Sequence, residues 1–450
     1  MMAWPAISML VFLPFLGAIF VRRIRGAPED VLRNARFVAL WTTIAALLLV
    51  LFIAFSMRTG PGSPALEERW DWMPGFGISW HMGADGLSIG FALTAAVLAL
   101  AAVLAEWAHG RHPARLVTPL FLESAVFGIF FARNTFLFLL FFGASLLPPF
   151  LALSVSADPR ARRAGFHSLL LPLAAALPML ALFVHMGIGG YQELTAQAAP
   201  LAVVAALALA FGARMPVWPL HAAWMEAFSR AGTALAILLP VSGMTVGAYG
   251  FARFLPLLVP DVPLPARVML SFLALATIVW GGWASIGSAG GRNRIGYMAL
   301  CISGLAALAV FAGRSVDVAS LVFLVFGGGL GVAGLLLGLG GGESSQPPQA
   351  GFLRFFACCA ALLPGSAGFW GLLSTLRAAA EASMWCAAIA LSGLCLGTFS
   401  LIALVGEVAA APSMKDERGA PSIGAALAIL SLLALGLGLL PSALMEAVHG

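Results

Sequence analysis

Long apolar runs recur along the whole chain and are separated by short polar segments. Each run has about 17 to 25 residues, the length that an α-helix needs to cross a hydrocarbon core of roughly 30 Å. Fourteen such runs can be counted, the first centred near Leu13 and the last near Ala434. Because a helix satisfies its own backbone hydrogen bonds in lipid, the pattern predicts an all-α integral membrane protein of about 14 transmembrane helices.

The composition agrees with this class. Hydrophobic residues make up 61% of the chain, charged residues only 10%, and the mean hydropathy is +0.99, whereas an ordinary soluble domain has about 25% charged residues. The 32 Phe and 12 Trp residues are expected mainly at lipid-facing and interfacial positions. No small-residue cleavage site follows the first apolar run, so we predict that this run is retained as the first span.

Positive residues are distributed unevenly between alternate loops. If the N-terminus is outside, sixteen Arg and Lys residues fall in cytoplasmic loops and seven in outer loops, while Arg214 falls inside a span. Cytoplasmic loops of membrane proteins carry the excess of positive charge. The distribution therefore predicts a bacterial inner-membrane protein with both termini on the periplasmic side. The net charge of +5 follows from this topology, and no nucleic-acid partner is expected.

Residues that usually carry chemistry are few. The five cysteines all fall in predicted spans, where packing is their usual role, so neither a disulfide framework nor a metal site is expected. The chain contains no Walker loop, Cys-x-x-Cys pair or His-Glu-x-x-His motif, and no cofactor is predicted. Without a constellation of nucleophile, base and cofactor, an independent catalytic enzyme is not expected.

The order of the spans predicts one transmembrane domain over residues 1–450. Its parts are N-terminal helices 1 to 3 in 1–110, a first five-helix unit in 115–255, a second unit in 265–406 and a last helix in 420–446. The polar connection between the second and third spans is expected to be an outer loop. No soluble domain is predicted, so the function of the chain is expected within the bilayer.

Two predicted spans carry helix-breaking residues at comparable positions. The seventh contains Pro216 and Pro219, and the twelfth contains Pro364 and Gly365. Proline removes a backbone donor and clashes with the preceding turn, so both helices are expected to be interrupted at membrane depth. A lone proline more often gives a simple kink, but two breaks five spans apart favour two inverted five-helix repeats, spans 4–8 and 9–13, as in transporters.

The segment FGARMPVWPLHAAWMEAF at 211–228 places Arg214, His221 and Glu226 in or beside the seventh span. A charged residue at the centre of a bilayer costs about 3 kcal/mol on insertion scales, so these residues need a reason. Together with Glu123 of the fourth span they are candidates for an ion path or gate. The alternatives are a polar contact that holds the broken helix for Arg214, a histidine bonded to backbone for His221 and a solvated carboxylate for Glu226.

Glu106 and Asp85 are two further acidic residues in or beside predicted spans. An arginine inside a span requires a counter-charge or water, and for Arg214 the candidate carboxylates are Glu226, Glu123 and Glu106. Asp85 opens the third span in an Asp-Gly pair and is expected to cap that helix, because aspartate accepts hydrogen bonds from the first helical N–H groups.

Several segments identify a known family. The order Arg-x-Pro-x-x-Pro-x-His begins at Arg214, Gly-Ala-Tyr-Gly follows at 247–250, ADGLS occupies 84–88 and LPGSAGFWG occupies 363–371. In these segments the chain resembles the antiporter-like subunits of respiratory complex I and of Mrp-type antiporters, most closely the complex I M subunit, NADH-quinone oxidoreductase chain M. The resemblance covers nearly the whole chain and implies the M-subunit fold.

The departures from this family fall on the residues to which its proton path is attributed. The replaced positions are the aspartate and glutamate of helix five at Asn134 and Gly143, the lysines of helices seven and eight at Arg214 and Thr245, the histidine of helix ten at Ile302, the histidine of helix eleven within FGGG at 326–329, and the glutamate of helix twelve at Leu372. Burial can lower the pKa of lysine toward 7, whereas arginine stays charged in proteins. The resemblance thus implies an incomplete proton path.

These observations predict a membrane-arm subunit of a complex I-like or related ion-translocating complex that is degenerate, mainly structural and sealed against ions. Its expected partners are other antiporter-like membrane subunits and the lipid bilayer. Any enzymatic role is at most that of a non-catalytic subunit of an NADH-quinone oxidoreductase-like translocase. Two alternatives stay open: an active H⁺ or Na⁺ path rerouted through His221, Glu226 and other acids, or a membrane partner in an inorganic-carbon uptake or membrane hydrogenase complex.

Overall fold

The computed structural model describes residues 5–57, 66–76, 78–110, 112–186, 200–313, 317–340, 350–410 and 421–439. Helices dominate these ranges. The helices of the first half are α1 (Ala6–Arg23), α2 (Pro28–Met57), α3 (Gly86–His109), α4 (Val117–Phe131), α5 (Thr135–Ser154), α6 (Pro159–Met186), α7 (Pro200–Arg214), α8 (Ala222–Arg230), α9 (Thr233–Pro240) and α10 (Val246–Leu258). Those of the second half are α11 (Leu264–Gly287), α12 (Gly291–Phe311), α13 (Val318–Leu339), α14 (Ala350–Ala360), α15 (Ala367–Ala382), α16 (Met384–Ala410) and α17 (Pro421–Leu439).

Eleven helices of the described ranges are long and apolar enough to cross a membrane. One of the eleven is the continuous helix made of α9, a π-helical turn at Val241–Thr245 and α10. Shorter apolar helices occur in α7, α14 and α17. The prediction of a helical membrane protein from the lengths of the apolar runs is confirmed at this level.

A β-hairpin lies between α2 and α3, where the sequence predicted a loop. Its antiparallel strands are β1 (Glu67–Met73) and β2 (Ile78–Gly83). The Glu68 carboxylate accepts hydrogen bonds from the backbone N–H groups of Ile7 at 2.7 Å and Ser8 at 3.0 Å. These N–H groups begin α1 and have no acceptor within that helix, and the helix dipole favours a negative charge there. The chain is mostly helical as predicted, and the hairpin is a small addition that the sequence did not indicate and that caps the first helix.

Both predicted helix breaks occur. Pro216 and Pro219 lie between α7 and α8, and Pro364 and Gly365 lie between α14 and α15. Proline cannot donate to the preceding turn, which explains why each helix ends before it. Gly365 has a φ of +93°, a conformation that side-chain-bearing residues rarely adopt. The second break therefore depends on glycine as well as on proline.

Helices of the second half satisfy the backbone groups that the first break releases. The carbonyl of Met215 accepts a hydrogen bond from Ser303 Oγ of α12 at 2.5 Å. The N–H of Trp218 donates to Thr277 Oγ1 of α11 at 2.9 Å. Irregular backbone persists at membrane depth only where protein or water meets its polar groups. Hydrogen bonds from the second half of the chain thus stabilise the interruption between α7 and α8.

Phenylalanine fills the interior of the first half. Eleven Phe side chains are among the largest fully buried side chains, and ten of them belong to the first half. The ring of Phe138 lies 4.7 Å from that of Phe254 and 6.1 Å from that of Phe211, centroid to centroid, which is the range of favourable aromatic pairs. The expected lipid-facing position does not hold for these eleven rings, many of which are buried by stacking between helices such as α5, α7 and α10.

Helix α13 is the buried centre of the second half, with nearly all of its residues buried. Its glycines approach neighbouring backbones closely. A Cβ placed on Gly327 would lie 2.1 Å from the backbone nitrogen of Gly368 in α15, and one on Gly331 would lie 2.3 Å from that of Ala360 in α14. Small residues permit such close helix packing in membranes. The middle of α13 is thus closed by direct contact between backbones.

Candidate functional site

Arg214 is the last residue of α7, and the helix break places it inside the protein with 4% of its surface exposed. Its Nη2 donates to Ser145 Oγ of α5 at 2.8 Å. Its guanidinium also lies over the ring of Phe142, 5.1 Å from the centroid. A cation–π contact and the negative end of the α7 dipole offset part of the cost of burying this charge. Both side-chain partners are neutral.

None of the three carboxylates expected to neutralise Arg214 forms an ion pair with it. Glu226 on α8 pairs with His167 on α6 at 2.7 Å, and a third of its side chain stays exposed. Glu123 on α4 is 1% exposed, and neither of its carboxylate oxygens has a hydrogen-bond partner among the described residues. Glu106 lies near the end of α3. For Glu226 the reason is geometric: Arg214 bonds to Ser145 on α5, whereas Glu226 bonds to His167 on α6.

A cavity of about 30 Å³ lies beside the guanidinium. Helices α5 to α9 and the π-helical turn supply its walls, which are apolar apart from Arg214, Ser168, Ser242 and the indole of Trp224. One water molecule needs about 10–15 Å³ in this measure, so the cavity has room for about two water molecules or one small ion. The Nε of Arg214 has no hydrogen-bond partner within the described ranges.

His221 precedes α8 and is half-buried. Its ring lies 6.1 Å from the ring of Trp280, and its Nδ1 has no hydrogen-bond partner in the part of the chain that the structure describes. The four candidate residues of the predicted path all lie in the first half of the chain. Within the described residues, no hydrogen bond or ion pair joins any two of these four candidates.

Three positions of the first half that the sequence resemblance assigns to the family's proton path carry uncharged residues here. Asn134 caps α5 and donates from Nδ2 to the carbonyl of Ser79 in the hairpin at 2.6 Å. Gly143 is half-buried, and no atom lies within 4 Å of a Cβ placed on it. Thr245 is fully buried in the π-helical turn and donates to the carbonyl of Val241. None of these side chains carries a charge.

The corresponding positions in the second half are apolar and closely packed. Ile302 on α12 and Leu372 on α15 are buried. The segment 326–329 lies in α13, where a Cβ placed on Gly328 would lie 2.7 Å from Cγ2 of Ile302. These positions therefore hold no titratable side chain.

Asp85 forms a polar cluster that the sequence did not indicate. The predicted cap is confirmed, because its Oδ1 accepts from the N–H of Ser88 at 2.8 Å. Its Oδ2 also pairs with Arg133 at 3.0 Å and with Arg253 at 2.7 Å, and Arg253 Nε donates to the Tyr249 hydroxyl at 3.1 Å. These residues are far apart in sequence. The only feature that could have indicated the cluster is that each charged residue stands near the end of an apolar run.

The Asp85 cluster makes stability depend on pH. Burial would by itself raise the pKa of the Asp85 carboxyl, but the charge and hydrogen bond of Arg253 and the charge of Arg133 lower it below its ordinary value. A depressed folded-state pKa stabilises the protein above the unfolded-state pKa, about 3.9, and this contribution is lost as the pH falls through the folded value. The stabilisation is therefore complete at neutral pH and declines below about pH 4.

We expect Asp85→Asn to reduce the free energy of unfolding by about 1–3 kcal/mol at pH 7, because it leaves two arginines without their shared partner. The loss, measured as a fall in Tm, should shrink as the pH drops below about 4. Asp158→Asn is the matched control, since Asp158 forms an exposed pair with Arg230 and such pairs contribute at most about 1 kcal/mol. Equal shifts in the two variants would contradict the role of the cluster.

The fold and the site together define the chain as an antiporter-like membrane subunit with two interrupted helices and a buried cation at the first interruption. The family model described as NADH:quinone oxidoreductase/Mrp antiporter, TM, matches residues 132–399. The chain belongs to this family. The resemblance inferred from the sequence motifs is thereby confirmed.

Known proteins of similar sequence and structure agree. NADH-quinone oxidoreductase subunit 13 of Thermus thermophilus is 30% identical over 422 residues, which cover 87% of this chain and 89% of the relative. A chain in respiratory complex I from Thermus thermophilus with bound NADH superposes with a TM-score of 0.86 at 25% identity, covering 98% of this chain and 97% of the other. A chain of the Mrp complex from Dietzia sp. shares the fold, with a TM-score of 0.82, 18% identity and coverage of 99% and 96%.

Proposed function

We propose that this chain is a membrane-arm subunit of a multi-subunit complex of the complex I or Mrp type. In this proposal it mainly fills and seals its place in the membrane while neighbouring subunits translocate ions. The relative that is a subunit of NADH-quinone oxidoreductase and the fold shared with a complex I chain support membership of such an assembly. The partners are other antiporter-like membrane subunits and the surrounding lipid.

The observation that carries the sealing role is the environment of Arg214. A relay group must take up and release protons, which a guanidinium does not do in proteins. Arg214 is buried and is held by the neutral Ser145 and Phe142. A fixed positive charge in a region of low dielectric repels H⁺ and Na⁺. The residues at the neighbouring path positions, Gly143 and Thr245, offer no group that titrates near neutral pH.

One observation favours a second candidate function, an ion path rerouted through α4. Glu123 is buried with no partner for its carboxylate among the described residues. An isolated ionised carboxylate is costly in a dry interior, and acids within membrane spans often mark proton relays. In this alternative Glu123 performs the proton transfer that the resemblance assigns to a glutamate at the position of Gly143.

The substitution Glu123→Gln separates the two candidate functions. A sealed subunit predicts an unchanged number of ions translocated per turnover, measured with the purified complex in vesicles and normalised to assembled complex. A rerouted path predicts that the ions carried by this chain are lost from that number, because proton transfer through the path slows by a factor of about 10²–10⁴ when its proton-transfer group is removed. Glu123→Asp is the matched control, since it keeps a titratable group. Loss of transport in the glutamine variant with retention in the aspartate variant would overturn the sealing role.

We further infer fourteen spans that form two inverted five-helix repeats, spans 4–8 and 9–13. The two broken helices, α7 with α8 and α14 with α15, support this arrangement because each counts as one interrupted span in an equivalent place. The proposed location is a bacterial inner membrane with both termini periplasmic, as the loop charges indicate. A cysteine introduced by Arg163→Cys should then not react with a membrane-impermeant thiol reagent in intact cells. Rapid labelling would show that the orientation is the opposite one.

A further inference from the structure

We propose that the cavity beside Arg214 binds one small monovalent anion of the halide type. The residues that line the cavity include one charged group, Arg214, and no acid. The inference concerns the binding of a counter-ion, and it holds whether or not the chain conducts protons. It follows from the donors that face the cavity, from its size and from the balance of charge around it.

Arg214 supplies the donors for such an ion. A guanidinium carries five N–H donors, and one hydrogen bond, to Ser145, is formed within the described ranges. The Nε is buried without a partner. The hydroxyls of Ser168 and Ser242 already donate to carbonyls of their own helices, at 2.8 Å and 3.2 Å. Because Nε is itself closed off from any water-sized space, the donors left for the cavity are the remaining N–H groups of the terminal nitrogens Nη1 and Nη2 of Arg214, a residue that lines it.

The size of the cavity selects the kind of anion. A volume of about 30 Å³ accommodates one halide or about two water molecules. A halide accepts hydrogen bonds from any direction, so it requires no particular arrangement of donors. The remaining walls are mostly apolar side chains such as Leu146, Pro149 and Leu171, which do not compete for the guanidinium.

The balance of charge favours an anion over water alone. No carboxylate of the described residues pairs with Arg214, and the nearby Glu226 is engaged by His167. Attraction between opposite charges is several-fold stronger in a protein interior than in water. A bound halide would lower the cost of burying the cation, and the guanidinium would still offer no group that takes up and releases a proton. Access is available at the rim, where Leu220, Ala223 and Ser168 are only half-buried.

The test measures binding of radiolabelled chloride by equilibrium dialysis of the full chain in its native assembly, at constant ionic strength with gluconate as the replacement anion. We expect Arg214→Gln to remove about one bound chloride per chain. Arg214→Lys, which keeps the charge but has fewer donors, should bind chloride roughly several-fold more weakly. Arg230→Gln removes a cation that is exposed and does not line the cavity, and its chloride binding should equal that of the wild type.

A second variant keeps the cation and removes the space. Ala223→Leu adds side-chain volume at the rim of the cavity and should weaken chloride binding at least about tenfold, a change of about 1.4 kcal/mol, with Arg214 intact. This variant decides the question if Arg214→Gln does not assemble. Wild-type protein that binds no chloride above the level of Arg214→Gln would show that water alone fills the cavity. Undiminished binding in Ala223→Leu would place the ion elsewhere, and either result overturns the proposal.

Discussion

Gly327→Ala is expected to prevent stable folding of the second half of the chain. The added methyl group would lie 2.1 Å from the backbone nitrogen of Gly368, a distance that non-bonded atoms do not adopt. Overpacking costs about 1–3 kcal/mol when side chains can yield. Here the obstructing atoms are backbone, so α13 and α15 must separate, and we expect a loss of more than about 3 kcal/mol. Thermal unfolding and the yield of assembled protein measure the effect.

Gly212→Ala is the matched control for this prediction. Gly212 lies in α7 and is also buried, but no atom lies within 4 Å of a Cβ placed on it. Alanine exceeds glycine in helix propensity by about 1 kcal/mol, so the Tm should be unchanged or slightly higher. If the two alanine variants had the same Tm, the close contact of α13 with α15 would be refuted.

Arg214→Ala is expected to lower the amount of assembled protein more than the ion transport per assembled complex. The substitution removes a large side chain that packs on Phe142 and bonds to Ser145. Truncation of buried side chains of this size costs roughly 2–5 kcal/mol through lost contacts and the cavity left behind. Relief from burying a charge with neutral partners offsets part of this cost, so we expect a net loss of about 1–3 kcal/mol.

Arg214→Met distinguishes volume from charge. Methionine fills most of the space without the charge, and replacement of buried charges by apolar residues of similar size is often neutral or stabilising. We therefore expect its Tm to equal or exceed that of the wild type. Ion transport per assembled complex should be unchanged in both variants, and Arg214→Lys alone should not create a pump, because Gly143 and Thr245 still lack titratable groups. Loss of coupled transport in an assembled methionine variant would support a pumping role for Arg214.

The helix breaks and the family membership followed from short segments of sequence. Proline acts within its own helix, so Pro216 and Pro364 indicated the interruptions without knowledge of any neighbour. The motif that begins at Arg214, together with the segments at 247–250, 84–88 and 363–371, indicated the family that the family model then matched. The cap formed by Asp85 was likewise local, since it involves the first turn of one helix.

The partners of the polar residues did not follow from the sequence. Glu226 and His167 are separated by 59 residues, and their pairing depends on how α6 and α8 are rotated toward each other. The capping of α1 by Glu68 requires a hairpin that returns to the N-terminus. Both contacts join different elements, and no sequence periodicity predicts which residues of two elements meet.

The sequence by itself determined the membrane class of this protein and the places where two helices break, because each depends on residues within one helix. Only the tertiary structure decided that Arg214 meets Ser145 and Phe142 in place of a carboxylate, and which phenylalanines lie inside. The physical reason is that a buried charge or ring takes its environment from the helices packed around it, and helix rotation and close approach are set by the packing of the whole molecule.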